Sequence, residues 1–88
     1  MAVDNSKERD MGFSKEAVEK LATRIQSIRK LKGYDNYERF AYDHNIPRAQ
    51  FGRYEKGQDL QFTSLVKVVK AFDMTLVEFF SEGFDNLT

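Results

Sequence analysis

The sequence predicts an all-α domain built from five short helices. Apolar residues recur at steps of three and four along most of the chain, which is the spacing of amphipathic helices. Glycine, asparagine and the single proline stand between these stretches, where helices end or begin. We find no run that alternates apolar and polar residues in the way a half-buried strand does. The length of 88 residues fits one domain.

The first helix is expected over 15–32. Its apolar stripe comprises Val18, Leu21, Ile25 and Ile28. Ser14 is suited to cap the start of this helix, and Gly33 is suited to end it. The preceding residues, 1–13, are polar and lack a helical period, so we expect a flexible N-terminal arm there.

Two short helices are expected next. Asn36 can cap the second helix, whose inward face carries Phe40 and Ala41 and which ends near His44-Asn45. The fixed φ of Pro47 suits the first turn of a third helix. The inward residues of the third helix are Phe51 and Tyr54, and its end is Gly57.

The last two helices follow a polar link. A fourth helix starts at or beside Thr63, and Thr75 can cap a short fifth helix. The apolar residues of the fourth helix are Leu65, Val68, Val69 and Phe72, and those of the fifth are Leu76, Phe79 and Phe80. Residues 81–88 form a C-terminal tail that retains Phe84 and Leu87.

Charge is distributed unevenly along a chain with no net charge. Residues 15–58 hold ten basic and six acidic side chains, whereas residues 59–88 hold two basic and five acidic ones. A neutral total is unusual for a nucleic-acid-binding domain. A basic middle and an acidic end nevertheless give the dipolar field that steers a charged partner. Chance variation of surface charge is the alternative interpretation.

Composition excludes several kinds of site. The chain has no cysteine and one histidine, His44, so disulfides, thiolate chemistry and histidine-based zinc sites lack their residues. We expect no metal, no cofactor and no enzymatic activity, because no phosphate-binding glycine loop or metalloprotease motif is present. Without a long apolar run we expect no membrane contact and a cytoplasmic location.

The segment 36–57 carries the most specific pattern. A small residue, Ala41, lies where two helices would approach closely, Ile46 follows the turn, and Phe51 anchors the next helix from below. We therefore expect polar residues of the third helix on an outer face. This is the arrangement of a helix-turn-helix, whose second helix enters the major groove of DNA.

Residues within this segment and on both sides of it match those of a known family. The matching positions are Arg24-Ile25, Ile28-Arg29, Lys32-Gly33, Phe40-Ala41, Ile46, Phe51, Tyr54-Glu55-Lys56-Gly57, Leu65, Val68, Phe72 and Leu76 to Phe79. With them the chain resembles the phage-repressor-like (Cro and lambda-repressor-like, or XRE-type) helix-turn-helix DNA-binding family over about 20–80. The resemblance implies a compact five-helix bundle over 14–80, with the motif at 36–57.

The resemblance also implies roles for individual residues. In the third helix, about 47–56, the positions that contact base edges are Arg48, Ala49, Gln50, Gly52 and Arg53. An arginine there forks onto guanine, and an alanine methyl meets a thymine methyl. Solvated charges on a helix surface are the plainer interpretation of the two arginines.

Other positions implied by the resemblance support this helix. Asn36, Tyr37 and Lys56 match phosphate-contacting positions, with the Tyr37 phenol standing where glutamine is common. Arg29 and Glu55 match a structural ion pair between the first helix and the end of the third.

The resulting expectation is sequence-specific binding of double-stranded DNA by a dimeric prokaryotic transcriptional regulator. Phe80, Phe84 and Leu87 are candidates for the homodimer contact, although the tail can instead fold over its own monomer. No small-molecule ligand is evident. The alternative function is a protein-interaction module, antitoxin or adaptor on the same fold with weak or no DNA binding.

Overall fold

The computed structural model describes the backbone of residues 3–87 and the side chains of 12–87. The predicted all-α class is confirmed, because this part of the chain contains helices and no strand. The helices are α1 (Val3–Leu31), α2 (Tyr37–Asp43), α3 (Arg48–Glu55), α4 (Phe62–Ala71) and α5 (Leu76–Phe79). Within the described residues, none of these helices is long and apolar enough to span a bilayer.

Helix α1 begins at Val3, so the expected start near residue 15 is wrong. The backbone of 3–13, most of the expected N-terminal arm, is helical; Met1 and Ala2 lie outside the described residues. Gly12 is the strongest helix breaker in this stretch, and a glycine opposes a helix by only about 1 kcal/mol. Each residue added to an existing helix gains a hydrogen bond without a new nucleation step, so the helix continues through it.

The connections on both sides of α2 are set by local chemistry. Asn36 caps α2 as expected, and its side-chain Oδ1 accepts a hydrogen bond from the Arg39 amide at 2.8 Å. Asn45 has a φ of 58°, a left-handed conformation that asparagine tolerates better than most residues. The chain reverses there, and the next residue, Ile46, is buried before α3 begins.

The caps of the later helices differ in kind. Pro47 lies at the N-cap position of α3, outside the helix, and provides no side-chain hydrogen bond. Thr75 caps α5, as expected, in a reciprocal capping box with Glu78. Hydrogen bonds from the Thr75 amide and hydroxyl lower the pKa of Glu78 below its ordinary value.

Phe40 of α2 lies at the centre of the core. Its ring centroid is 5.0 Å from that of Phe51 in α3 and 5.0 Å from that of Phe72 at the end of α4. All three side chains are almost completely buried. Because burying one such side chain stabilises a fold by about 1.5–3 kcal/mol, this cluster fixes the mutual placement of α2, α3 and α4.

The tail contacts its own monomer. The half-buried ring of Phe84 lies 6.0 Å from Phe79 and 4.9 Å from Phe80, measured between centroids. Phe79 is completely buried, Phe80 is 44% exposed, and Leu87 is half-buried. Phe84 therefore follows the second of the two alternatives, in which the tail folds over its own monomer instead of forming a dimer contact. Thr88 lies outside the described residues.

Candidate nucleic-acid interface

Helices α2 and α3 pack closely at a turn of four residues. Ala41 is completely buried between them, and the Ile46 amide donates to the Ala41 carbonyl at 2.9 Å. A larger side chain at position 41 would separate the two helices. The inner face of α3 is provided by Phe51, Tyr54 and Glu55, which are all buried.

The outer edge of α3 carries Arg48, Ala49 and Arg53, and Lys56 follows at its C-cap. All four residues are exposed. Successive helical residues are about 100° apart, so these four positions fall within an arc of about 140°. We call them the α3 face. The structure therefore brings these members of the expected DNA-contacting set together.

Gly52, which was also expected among the base-contacting residues, is buried although its position falls inside this arc. The Tyr37 ring from α2 covers it: a Cβ added to Gly52 would lie 2.9 Å from Tyr37 Cε2. The Tyr37 phenol of α2 thus occupies the space that a side chain at position 52 of α3 would take. Gly52 is buried beneath this ring, and its lack of a side chain leaves room for Tyr37 against α3.

Gln50 faces away from the α3 face. It is half-buried, and its side-chain amide donates a hydrogen bond to the hydroxyl of buried Tyr54. The bond gives Tyr54 a polar partner at the edge of the core. Gln50 was expected among the base-contacting residues, but in this structure its amide serves α3 itself.

Asn36 immediately precedes Tyr37, whose ring covers Gly52. Its side-chain oxygen caps α2, and the amide nitrogen of the same exposed side chain still has two hydrogens to donate. Asn36, the Tyr37 phenol and Lys56 are the hydrogen-bond donors of the expected phosphate-contacting set.

A buried ion pair holds the end of α3. Arg29 Nε and Nη2 donate to the two carboxylate oxygens of Glu55 at 2.7 and 2.9 Å, and both side chains are about 7% exposed. The hydrogen bond to Glu55 raises the pKa of Arg29 above its ordinary value. The side-chain amide of Gln26 donates to the Glu55 carbonyl as well. Helix α1 thus binds both the side chain and the backbone of the last residue of α3.

One of the three basic residues of the α3 face, Arg48, lies beside a carboxylate. Arg48 Nη1 lies 3.6 Å from Glu38 Oε2, and Arg39 pairs with Asp43. Among the described side chains, Arg53 and Lys56 form no ion pair. These two residues therefore provide the uncompensated positive charge of the α3 face.

Arg24, Gln26 and Glu38 are the residues whose roles sequence reasoning missed. Arg24 Nε donates to the Phe79 carbonyl at 2.7 Å and Nη2 to the Glu78 carbonyl at 3.0 Å, which holds α5 against α1. The available signal was its position between Leu21 and Ile25, because a basic residue beside an apolar helix stripe has to find a buried partner.

Among the described residues, no three potential metal ligands lie together.

Comparison of the chain with protein-family models, with curated proteins and with solved structures found no match.

The Arg29–Glu55 pair predicts a large loss of stability when one partner is neutralised. Glu55→Gln should lower the free energy of unfolding by about 3 kcal/mol, because it leaves a buried guanidinium without its counter-charge. Arg39→Gln is the control, since it breaks an exposed pair and should change stability by less than about 1 kcal/mol. Urea unfolding followed by circular dichroism measures both. Equal effects would contradict the assignment.

The packing of Tyr37 on Gly52 predicts that a glycine-to-alanine change depends on the residue at 37. In a Tyr37→Ala background, Gly52→Ala should stabilise α3 by about 1 kcal/mol, the usual gain of alanine in a helix. With Tyr37 present the gain should fall by at least about 0.5 kcal/mol, because the ring has to move. Gly12→Ala is the matched control, because nothing lies within 4 Å of its added Cβ. Identical gains in both backgrounds would refute the contact.

Proposed function

We propose that the chain binds double-stranded DNA in a sequence-specific manner, as a dimeric transcriptional regulator that inserts α3 into the major groove. The observation that carries this proposal is the α3 face, on which two exposed arginines flank a small alanine. Arginine forks onto the O6 and N7 atoms of guanine, and an alanine methyl contacts a thymine methyl. The helix-turn-helix geometry is part of the proposal, supported by the close packing of α2 and α3.

The dimensions of α3 support insertion into a groove. An α-helix with its side chains is about 10–12 Å in diameter, and the eight residues of α3 extend about 12 Å along the axis. The major groove is about 12 Å wide and admits one helix. Contacts at the α2 turn and with α1 leave the outer edge of α3 as the surface that meets base edges.

The hydrogen-bond donors of Asn36, Tyr37 and Lys56 support a role of these residues in positioning the protein on DNA. Asn36 and Tyr37 lie at the start of α2, with the Tyr37 ring against Gly52 of α3, and Lys56 is the C-cap residue of α3. Contacts of this kind bind phosphate oxygens and fix the register of a protein on the duplex. Asp59 opposes phosphate binding in the loop that follows, although its carboxylate accepts a hydrogen bond from the Leu60 amide at 2.9 Å.

The small number of uncompensated cations on the α3 face implies modest non-specific affinity. Arg53 and Lys56 are the uncompensated cations of the α3 face, and each phosphate neutralised contributes about −0.9 to the slope of log K against log salt. We therefore expect a slope of about −2 per monomer for non-specific duplex. Specificity then depends on directional contacts to bases more than on charge.

The dimeric state is proposed from the surface of α5. Val77 and Phe80 are 82% and 44% exposed, and Phe80 contacts Phe84 of the tail. Because one recognition helix reads few base pairs, two helices related by a two-fold axis would read half-sites about one turn of DNA apart.

A protein-interaction module is the second candidate function. The observation that favours it is the same C-terminal region, where exposed Val77 and Phe80 occur in a segment with two basic and five acidic residues over 59–88. A partner with a basic rim and an apolar centre would complement this surface.

The proposal predicts that DNA binding depends on the arginines of the α3 face. Arg48→Ala/Arg53→Ala should weaken binding to a site selected from random duplexes by at least about tenfold, since each bidentate contact contributes about 1–3 kcal/mol of discrimination. Lys30→Ala/Lys70→Ala removes the same charge from other helices and should have a much smaller effect. Fluorescence anisotropy measures both. Undiminished binding by the arginine variant would overturn the assignment and favour the interaction module.

Self-association should depend on α5. Phe80→Glu should convert the dimer to a monomer, because it places a charge in the proposed apolar contact. Phe62→Glu alters a side chain that is 64% exposed at the start of α4 and should leave the dimer intact. Light scattering over a range of concentrations measures the mass of each variant. A wild-type chain that stays monomeric at high concentration would contradict the proposed dimer.

A further inference from the structure

Glu38 and Arg48 form an ion pair between α2 and α3. Arg48 is the first residue of α3, and Glu38 belongs to the first turn of α2. Their side chains meet across the junction of the two helices, with Arg48 Nη1 and Glu38 Oε2 3.6 Å apart. Both side chains are more than half exposed, at 72% and 52%. A partner approaching the α3 face therefore meets the arginine together with its carboxylate.

We infer that Glu38 is a positioning residue that restricts Arg48 to guanine and keeps it from phosphate. The inference rests on the proposed function, because it concerns how the α3 face distinguishes DNA sequences. Neither the helix pattern nor the comparisons assign a role to Glu38.

The chemistry of the two possible acceptors favours guanine. Phosphate attracts Arg48 mainly through charge, and the carboxylate of Glu38 both neutralises that charge and repels phosphate. Guanine O6 and N7 instead receive directional hydrogen bonds. The guanidinium has five N–H donors, and one Nη contact to Glu38 leaves donors on its other edge to form this fork.

Arg48 can contact a base without a large loss of stability from its pair with Glu38. An exposed ion pair contributes little to stability, so sharing Arg48 with a base requires little rearrangement. Glu38 mainly changes the relative affinity of Arg48 for two competing acceptors, guanine and phosphate. Glu38 disfavours contacts on mixed-sequence duplex more than it disfavours the guanine contact, which increases the ratio of specific to non-specific affinity.

The test compares Glu38→Gln with wild type on two duplexes, one selected from random sequences by the wild-type protein and one of mixed sequence. We expect Glu38→Gln to increase affinity for the mixed duplex about three- to tenfold and to steepen its salt slope by up to about 0.9, as one more phosphate contact would. Affinity for the selected site should change less than twofold. Glu16→Gln removes an exposed charge from α1 and should leave both affinities nearly unchanged.

Two further measurements separate the inference from its premise. In an Arg48→Ala background, Glu38→Gln should lose most of its effect, because Glu38 acts through Arg48. Without DNA, the Arg48 Nε–Hε resonance should shift in Glu38→Gln and stay in place in Glu16→Gln.

Failure of the inference and failure of the proposed function would give different results. An equal increase for both duplexes, an effect that persists without Arg48, or an unshifted Arg48 resonance would overturn the inference and leave DNA binding by the α3 face intact. Absence of duplex binding by the wild-type chain would instead overturn the proposed function, and the inference with it.

Discussion

The orientation of α3 against α1 depends on the buried ion pair between Arg29 and Glu55. Arg29 also donates from Nη1 to the Tyr34 carbonyl at 2.8 Å, so one guanidinium connects α1, the turn before α2 and the end of α3. A buried pair of this kind adds little net stability, because desolvation of both charges offsets their attraction. Its loss is costly, however, since either charge alone is stranded. The pair therefore fixes the orientation of α3 more than it stabilises the fold.

With α3 fixed in this way, its outer edge is completed by side chains from α2. The Tyr37 ring fills the space above Gly52, and Glu38 contacts Arg48. The candidate interface is consequently a joint surface of two helices. A change in α2 would alter what α3 presents, even where no residue of α3 is replaced.

The sequence allowed the helices after the first to be predicted closely, because apolar spacing and caps such as Asn36 and Thr75 act locally. The start of α1 was missed because Gly12 opposes a helix only weakly. The burial of Gly52 was missed for a different reason. Helical periodicity places position 52 on the exposed arc, and the ring that covers it comes from another helix. The contact of Glu38 with Arg48 is likewise tertiary, and no spacing along the chain reveals it.

The most direct test of DNA binding by the α3 face is a titration of the ¹⁵N-labelled chain with a selected DNA duplex, followed by backbone amide chemical shifts. If the α3 face binds DNA, the largest changes will occur at 36–38 and 48–56, with small changes along α5 and the tail beyond those caused by self-association. Changes concentrated on α5 and residues 80–87 at constant oligomeric state, or an unchanged spectrum at saturating DNA, would contradict DNA binding by this face.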